Sequence, residues 1–291
     1  MYRIHATGGK LEIEQAWSIL AWTDPSPADA VDYREDGRTR WRLDAYAADK
    51  DAAEACRALV ADTVPALSVR VDPLEDRDWV AMSLEGLPSI RAGTFLVAGA
   101  HSLPKVRTGL HTVQIEAGPA FGTGHHGTTL GCLLALDTLL RGRRPGNVLD
   151  VGTGTGVLAI AALKAGARRV VGTDIHPGSI ETARENALLN DVNARFKSVV
   201  ARGVNNIRLR RMAPYDLILA NILARPLIGL ATHLPGITAP GGHIVLSGLL
   251  TRQAPLVSKA YASRGLLEIT HIRRDGWSTL VFQRSPFPRG A

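Results

Sequence analysis

Residues 147–174 read NVLDVGTGTGVLAIAALKAGARRVVGTD. A short apolar run ends in three alternating glycines, a segment of helix-forming residues follows, and a β-branched run then finishes on Asp174. Apolar runs of these lengths, separated by a glycine turn, are typical of strand, helix and strand in one βαβ unit. The stretch therefore predicts a doubly wound, Rossmann-like α/β sheet.

The glycines of this turn predict a binding site. Glycine tolerates the positive φ that a tight strand-to-helix turn needs, and its missing Cβ lets a ligand lie on the backbone. Asp174 comes 22 positions after Gly152, where the end of the second strand should offer a carboxylate to two ribose hydroxyls. A dinucleotide fingerprint has its third glycine one position after Gly156, so G-x-G-x-G behind Asp150 favours S-adenosylmethionine (SAM). A glycine turn in a non-binding α/β domain is the alternative.

Length and composition restrict the class of protein. A chain of 291 residues with 45% hydrophobic residues has room for one large domain or two smaller ones, each with a core. It contains no apolar run long enough for a membrane span, and its first residues lack the apolar block of a signal peptide. Cys56 and Cys132 are expected to be buried thiols in a reducing compartment, so a cytoplasmic location is predicted.

Charge is divided unevenly along the chain. Residues 1–72 hold 9 Lys+Arg against 13 Asp+Glu, whereas the remaining residues hold 25 against 14. An acidic module joined to a basic one suits a basic protein as partner of the acidic part, although compositional drift would give the same numbers. The arginines within residues 202–211 are interpreted as a solvated loop rather than as an RNA contact.

The chain is expected to contain three parts. Residues 1–72 show the order βαββαβ of a small ferredoxin-like α+β domain, and they lack the Cys/His clusters of a catalytic site, so binding is their predicted use. Residues 73–100 are predicted to be a connector, and residues 101–291 the catalytic domain. The predicted N-terminal elements are strands at 2–6, 30–34, 39–46 and 67–71 and helices at 11–20 and 49–62.

A second glycine-rich segment, GPAFGTGHHGTT at residues 118–129, precedes a helix predicted over residues 130–140. Thr128 or Thr129 is a natural N-cap for that helix. The segment is interpreted as a loop that closes over the cofactor. A metal site at the tandem histidines is the alternative, but no third ligand follows at the spacing of zinc sites, so no metal is expected.

Five more strands are predicted after the βαβ unit. They occupy residues 196–200, 216–220, 243–247, 266–272 and 278–283, and the last two form a hairpin. Seven strands ending in a hairpin fit the seven-stranded methyltransferase sheet. Asn221 follows the fourth strand directly, at the carboxyl end where α/β sheets place their chemistry.

Several segments taken together resemble the ribosomal protein L11 methyltransferase family. They are FGTG at 121–124, TT at 128–129, LDVGTGTG at 149–156, LAIAALKAGA at 158–167, NILARPL at 221–227, LSGLL at 246–250, and Trp277. The glycine loop alone is generic to SAM enzymes, whereas the first, second and fifth segments in combination are far more specific. The resemblance covers the whole catalytic half and extends more loosely over the N-terminal module.

The resemblance implies a cytoplasmic, SAM-dependent protein lysine N-methyltransferase that releases S-adenosylhomocysteine. Its implied substrate is ribosomal protein L11, methylated on lysine side chains or the N-terminal amine and held by the small N-terminal domain. A transient ribosome contact, no membrane association and a monomeric state are expected. The cofactor contacts implied by the matching motifs are Thr129, Gly152, Gly154, Asp174 and Asn221.

The chain departs from the family pattern at several positions. The family usually has Thr-His-Pro at residues 125–127, where this chain has His-His-Gly, and it has Cys and Ser at Thr153 and Thr155. An acid is usual at His176. The loop changes bear on closure, and His176 weakens the case for a second carboxylate at the ribose.

Methyl transfer to an amine is an in-line displacement that needs alignment and an uncharged amine rather than a covalent nucleophile. Our hypothesis is that Asn221 orients the amine and that no dedicated general base exists. One alternative is a methyltransferase of glutamine amides or nucleic-acid bases, but residues 221–224 lack the Pro-Pro-aromatic segment usual there. A SAM-binding module without transferase activity is another. An NAD oxidoreductase is least favoured, because Val157 breaks its fingerprint.

Overall fold

The structure is a computed structural model of the chain. It describes residues 2–23, 26–28, 30–37, 40–47, 49–73, 89–103, 109–115, 126–141, 144–204 and 206–286. The chain divides into two compact units, Met1–Trp79 and Val80–Ala291. No helix among the described residues is long and apolar enough to cross a membrane.

The N-terminal unit is a four-stranded antiparallel sheet with two helices. Its strands run in the order β2-β3-β1-β4, so the first strand lies between the third and the fourth. This arrangement confirms the predicted ferredoxin-like fold. The elements are β1 (Tyr2–Gly8), α1 (Lys10–Trp22), β2 (Ala30–Glu35), β3 (Trp41–Ala47), α2 (Lys50–Thr63) and β4 (Val69–Pro73).

Helix α2 shows why this sequence folds as it does. Asp49 caps the helix, its side chain accepting a hydrogen bond from the Ala52 N–H at 2.8 Å. Ala53, Cys56 and Val60 recur at helical spacing and are buried. Cys56 is therefore a buried thiol outside any disulfide, as its surroundings in the sequence predict.

The second unit contains a seven-stranded sheet and a separate three-stranded sheet. Its strands are β5 (Ile90–Ala92), β6 (Phe95–Ala98), β7 (His111–Gln114), β8 (Asn147–Val151), β9 (Arg169–Asp174), β10 (Phe196–Val200), β11 (Tyr215–Asn221), β12 (Thr238–Leu250), β13 (Leu266–Arg274) and β14 (Trp277–Arg284). Its helices are α3 (His126–Leu140), α4 (Val157–Lys164), α5 (Pro177–Leu189), α6 (Ile207–Met212), α7 (Ala224–Leu230), α8 (Leu234–Ile237) and α9 (Ala254–Ala262).

The large sheet has the order β10-β9-β8-β11-β12-β14-β13. The first five strands pair in parallel, while β14 runs antiparallel between β12 and β13. This confirms the seven-stranded Rossmann-like sheet. The direction of winding reverses between β8 and β11, and such a switch point opens a crevice at the carboxyl ends of the strands.

Helices cover both faces of this sheet. Neighbouring strand residues point to opposite sides, so Val148 belongs to one buried cluster and Leu149 to the other. Residues of α3, α4 and α5 line the first cluster, and residues of α6, α7, α8 and α9 line the second. Helix α4 is buried over its first seven residues, which explains why its sequence is apolar all round.

The structure corrects the predicted start of α3. The helix begins at His126 rather than at residue 130, so Thr128 and Thr129 lie in its first turn and are not N-caps. Both threonines are buried. Tertiary packing has overridden the preference of threonine for a cap position. The stretch that contains α6 was expected to be part of a solvated loop and is a short helix instead.

Asp137 joins the three-stranded sheet to α3 within the second unit. Its Oδ1 accepts a hydrogen bond from the Thr94 N–H at 3.0 Å and another from the Thr94 hydroxyl, and its Oδ2 lies 2.7 Å from an Arg141 guanidinium nitrogen. A Cβ on Gly93, which has φ +57°, would come within 2.4 Å of Oδ2. The carboxylate is therefore packed directly onto the turn between β5 and β6.

Replacing this carboxylate is expected to destabilise the second unit. Asp137→Ala should lower the free energy of unfolding by about 2 to 3 kcal/mol, because it leaves the part-buried Thr94 amide without its acceptor. Denaturant unfolding followed by circular dichroism measures the change. The control is Glu185→Ala on the exposed side of α5, which should change stability by less than about 0.5 kcal/mol. Equal losses for the two variants would contradict the assignment.

Candidate active site

Three strand ends of the second unit meet at the carboxyl edge of the sheet. The glycine turn follows β8, Asp174 ends β9 and Asn221 ends β11. Strands β9 and β11 pair on either side of β8, so the sheet topology brings the predicted positions to one edge. The edge coincides with the switch point, where open α/β sheets bind their ligands.

The glycine turn has the left-handed backbone that its sequence predicts. Gly152, Gly154 and Gly156 have φ of 71°, 53° and 82°. A Cβ on Gly156 would also lie 3.2 Å from the Cβ of Ala183 on α5, so this position combines a strained conformation with close packing. The turn is therefore built for glycine and brings bare backbone to the surface of the crevice.

Hydrogen bonds fix this turn to the end of β9. The Gly152 and Thr153 N–H groups both donate to the Thr173 carbonyl oxygen, at 2.7 and 2.8 Å. The Gly154 N–H donates to Oδ2 of Asp174 at 3.0 Å, and the His176 N–H donates to Oδ1 at 3.0 Å. Because a carboxylate oxygen has two lone-pair sites, Asp174 is held by the backbone and keeps acceptor capacity toward a ligand.

A buried carboxylate lies behind the turn. Asp150 is 1% exposed, and its Oδ2 accepts a hydrogen bond from the Thr153 hydroxyl at 2.7 Å. Burial raises the pKa of Asp150 to about 6; hydrogen bonds from Thr153 and from the Ala159 N–H oppose that rise, and the negative charge of Asp174 adds to it. Thr153, where the family usually has cysteine, thus ties the turn to the strand.

Asn186 supports the turn from α5 and was missed from the sequence. Its buried side-chain amide donates to the Thr155 carbonyl oxygen at 3.0 Å. A signal does exist in the sequence, because Asn186 falls at helical spacing with the buried Ile180 and Ala183. A polar side chain on the apolar face of a helix needs a buried partner, and here that partner is the glycine turn.

Asn221 has a fixed backbone and an available side chain. The next residue, Ile222, donates its N–H to the Ser247 carbonyl oxygen at 3.1 Å. Gly248, with φ +84°, packs so tightly there that a Cβ would come within 2.4 Å of the Ile222 oxygen. The Asn221 side chain is half-buried, and within the described part of the chain no hydrogen bond engages its amide. No other described group therefore occupies its donors and acceptor.

Thr129 lies in a helical turn that contacts the neighbouring strand β12. It is 7% exposed in the first turn of α3, one residue after Thr128, whose carbonyl oxygen is 3.4 Å from the Ser247 hydroxyl. Ser247 is the parallel-sheet partner of Asn221. The structure therefore brings the first turn of α3 to the edge that carries the other predicted positions.

The predicted closing loop lies mostly outside the described residues. Residues 118–125, with the FGTG motif and the first of the two histidines, are among those for which no structure is given. The described residues contain no group of three or more His, Cys, Asp or Glu side chains placed to hold a metal ion.

The residues at this edge suit a neutral or cationic nucleoside. A carboxylate held by two N–H groups is the group that would accept from ribose hydroxyls. The turn itself is GTGTG, without the Lys that follows the glycines of polyphosphate-binding loops. A carboxylate, an amide and bare backbone fit SAM better than a nucleoside triphosphate.

Comparison with known proteins agrees with this geometry. A model of the family described as ribosomal protein L11 methyltransferase (PrmA) matches residues 13–285. The chain belongs to the ribosomal protein L11 methyltransferase family. Of the members of this family, a protein of that name from a Caulobacter species is 48% identical over 245 residues, which cover 84% of this chain and 83% of the relative.

A second relative covers more of the chain, and a crystal structure of another L11 methylase is also similar to it. The ribosomal protein L11 methyltransferase of Mesorhizobium japonicum is 44% identical over 282 residues, 96% of this chain and 97% of the relative. The crystal structure of a ribosomal protein L11 methylase from Lactobacillus delbrueckii subsp. bulgaricus is 29% identical with a TM-score of 0.59, and covers 66% of this chain and 94% of that one.

The raised pKa of Asp150 predicts a pH-dependent stability. Below about pH 4 the acid is protonated in both states, and as pH rises toward about 6 the unfolded chain loses the proton first, which destabilises the fold. Asp150→Asn removes this dependence. The free energy of unfolding of the wild type should therefore fall by roughly 1 to 2 kcal/mol relative to that of Asp150→Asn between about pH 5 and pH 7.5.

Denaturant unfolding at several pH values measures that difference. Glu185→Gln, an exposed amide substitution, serves as the control and should keep a constant difference from the wild type. A pH-independent difference for Asp150→Asn would show that this carboxyl titrates alike in the folded and unfolded protein.

Proposed function

We propose that this chain transfers methyl groups from SAM to amino groups of ribosomal protein L11. The observation that carries the proposal is the Asp174 carboxylate, which the Gly154 and His176 N–H groups hold beside the glycine turn. Only strand β8 separates the strand that ends at Asp174 from the strand that ends at Asn221. Membership of the L11 methyltransferase family supports the choice of substrate. Ribosomal proteins are made in the cytoplasm, so the proposed reaction belongs there.

The proposed cofactor site uses the positions gathered at the carboxyl edge. Asp174 would accept from the ribose hydroxyls, and Gly152 and Gly154 would present backbone to the methionine part. Thr129 and Asn221 would contact the same cofactor from the other side of the crevice. When bound, SAM supplies a methyl group on a sulfonium cation, which makes a negatively charged or neutral lining preferable to a basic one.

The protein's task in such a transfer is to align an uncharged amine. A lysine with a pKa of about 10.4 is mostly protonated at neutral pH, and burial next to a cation lowers that pKa. The oxygen of the Asn221 side-chain amide would accept a hydrogen bond from the amine and hold its direction. Water then takes the proton, in agreement with the hypothesis of no dedicated general base.

Asp150 is not the base in this proposal, although its raised pKa invites that role. Its carboxylate is buried beneath the glycine turn, where the Thr153 hydroxyl and the Ala159 N–H occupy it. A general base must lie within hydrogen-bond reach of the proton that it removes. Asp150 therefore acts on the turn, not on the amine.

The acidic N-terminal unit is proposed to hold the protein substrate. Asp51 and Asp62 are both exposed on α2, and their separation of 11 residues places them on the same side of the helix. The exposed Ala55 and Ala58 lie between them on that side, so this surface combines short side chains with negative charge. Such a surface complements the basic surface typical of proteins that bind RNA.

Substitutions at the proposed cofactor site test the reaction. Transfer of label from radiolabelled SAM to purified ribosomal protein L11 is expected for the wild type. Asp174→Ala should weaken binding of S-adenosylhomocysteine by about tenfold or more, since it removes charge-assisted hydrogen bonds worth about 1.5 kcal/mol or more. Asn221→Ala should lower kcat by about tenfold or more at saturating SAM and protein, because the amine loses its orientation.

Glu181→Ala, an exposed change on α5, is the control and should leave both constants unchanged. Full activity of Asn221→Ala under saturating conditions would remove its orienting role. Binding of S-adenosylhomocysteine without any label transfer would favour a binding module. Mass mapping of labelled peptides identifies the acceptor, and label on a glutamine amide would overturn the assignment to amines.

Charge reversal on α2 tests the proposed substrate surface. The double variant Asp51→Lys and Asp62→Lys should raise KM for L11 by about fivefold or more at low salt, because it replaces attraction by repulsion. The KM for SAM should stay the same. Steady-state kinetics with each substrate varied in turn separates the two constants.

The matched control places the same charge change on the second unit. Glu181 and Glu185 are exposed on α5. The double variant Glu181→Lys and Glu185→Lys should change the KM for L11 by less than twofold. If both double variants raise this KM equally, net charge rather than the α2 surface governs the encounter.

A further inference from the structure

Five buried residues contribute polar groups to one cluster behind the proposed site, which we call the hydroxyl cluster. Ser247, Thr279 and Cys132 take part through their side chains, and Thr128 and Ser278 take part through their carbonyl oxygens. Each of its members is at most 2% exposed, although all lie among apolar residues of the second unit. They come from α3, β12 and β14, which are distant in sequence. The members are Thr128, Cys132, Ser247, Ser278 and Thr279.

Ser247 is the centre of the hydroxyl cluster. Its Oγ lies 2.8 Å from the Thr279 Oγ1, 3.2 Å from the Ser278 carbonyl oxygen and 3.4 Å from the Thr128 carbonyl oxygen. The Cys132 thiol also hydrogen-bonds this side chain, and burial raises the pKa of Cys132 to about 12, so the thiol is neutral. One hydroxyl therefore connects α3 to two strands of the sheet.

The same residue fixes the backbone beside Asn221. Ser247 and Asn221 are register partners in the parallel pair β11 and β12. The Ser247 carbonyl oxygen accepts the Ile222 N–H at 3.1 Å. The main chain of Ser247 thus holds the strand end that carries Asn221, while its side chain holds the helix that carries Thr129.

The helix approaches the sheet closely at the hydroxyl cluster. A Cβ on Gly131 would lie 2.2 Å from the Thr279 Oγ1, so the glycine admits the β14 hydroxyl against the backbone of α3. Gly131 is two residues after Thr129. Polar contacts therefore help to set the position of the first turn of α3, together with the packing of Gly127 near the Trp277 ring.

Stability alone does not require such an arrangement. Apolar residues of similar shape at a buried polar pair often stabilise a fold as well as the polar residues do, whereas buried hydrogen bonds fix direction and distance. Directional contacts at this place have a use, because two proposed ligand-binding side chains on separate elements must keep a constant separation.

We propose that Ser247 is a positioning residue that sets the placement of Thr129 relative to Asn221 through the hydroxyl cluster. The inference rests on the proposed function and deepens it. Ser247 does not contact the reacting atoms in this proposal. It acts through the first turn of α3 on one side and through the end of β11 on the other.

Ser247→Ala tests the proposal together with a pair of variants at its partner. Ser247→Ala should lower kcat by about tenfold per binding-competent molecule, because small misplacements at a reacting centre have effects of that size. Thr279→Val, which removes a hydroxyl and keeps the shape, should lower kcat in the same direction. Thr279→Ser keeps the hydroxyl and should restore kcat to within about twofold of the wild type. Titration with S-adenosylhomocysteine counts the competent molecules.

Thr238→Val is the matched control. Thr238 is 0% exposed at the opposite end of the same strand from Ser247, and its hydroxyl donates to the Leu234 carbonyl oxygen at 2.8 Å. Thr238→Val should lower the thermal midpoint by about as much as Ser247→Ala does, and it should keep the wild-type kcat. If Ser247→Ala and Thr238→Val lower the thermal midpoint alike and both keep kcat, Ser247 is structural and the proposal is wrong.

The outcomes separate this inference from the proposed function. A wild-type protein that binds S-adenosylhomocysteine and transfers no methyl group would overturn the function itself. A wild type that is active beside an equally active Ser247→Ala would overturn the positioning role alone. Loss of kcat in Thr279→Ser beside full activity in Thr279→Val would show that the methyl group of Thr279, not the hydroxyl, matters, and would overturn the positioning role.

Discussion

The second unit depends on two backbone hydrogen bonds that converge on one oxygen. The Gly152 and Thr153 N–H groups both reach the Thr173 carbonyl at the end of β9. This pairing forces the chain to leave β8 in a left-handed turn and ties that turn to the neighbouring strand. The Asp174 carboxylate, one residue further on, therefore keeps a constant distance from the glycines. A ligand that touches both meets one rigid body rather than two loops.

Buried polar side chains stabilise the site from behind at three places. Asp150 holds the glycine turn through Thr153, Asn186 holds it through the Thr155 carbonyl, and Ser247 holds the opposite wall. All of these side chains are at most 1% exposed and have hydrogen-bond partners. The described part of the edge thus combines available groups toward the crevice with satisfied groups beneath it, which is how an open site stays ordered.

The sequence predicted the elements of the fold more successfully than it predicted contacts. Local sequence patterns are enough to predict the βαβ unit and the order of strands and helices in the N-terminal unit, because apolar spacing and glycine turns are properties of short segments. The start of α3 was predicted four residues late, since the burial of Thr128 and Thr129 is decided by β12 and β14. The glycine and acid positions of the site follow from motif spacing. The proposed role of Ser247 cannot be predicted from motif spacing, because its hydrogen-bond partners lie 31 or more residues away in the sequence.

The place of β14 within the large sheet has a consequence for biosynthesis. This strand is inserted between β12 and β13, although both are made before it. A nascent chain that has emerged only as far as β13 would expose an unpaired edge on β12, next to the strand end that carries Asn221. Unpaired edges attract other strands. Translation must pass residue 284 before the sheet can close, so the sheet edge that carries Asn221 is among the last parts of this chain to mature on the ribosome.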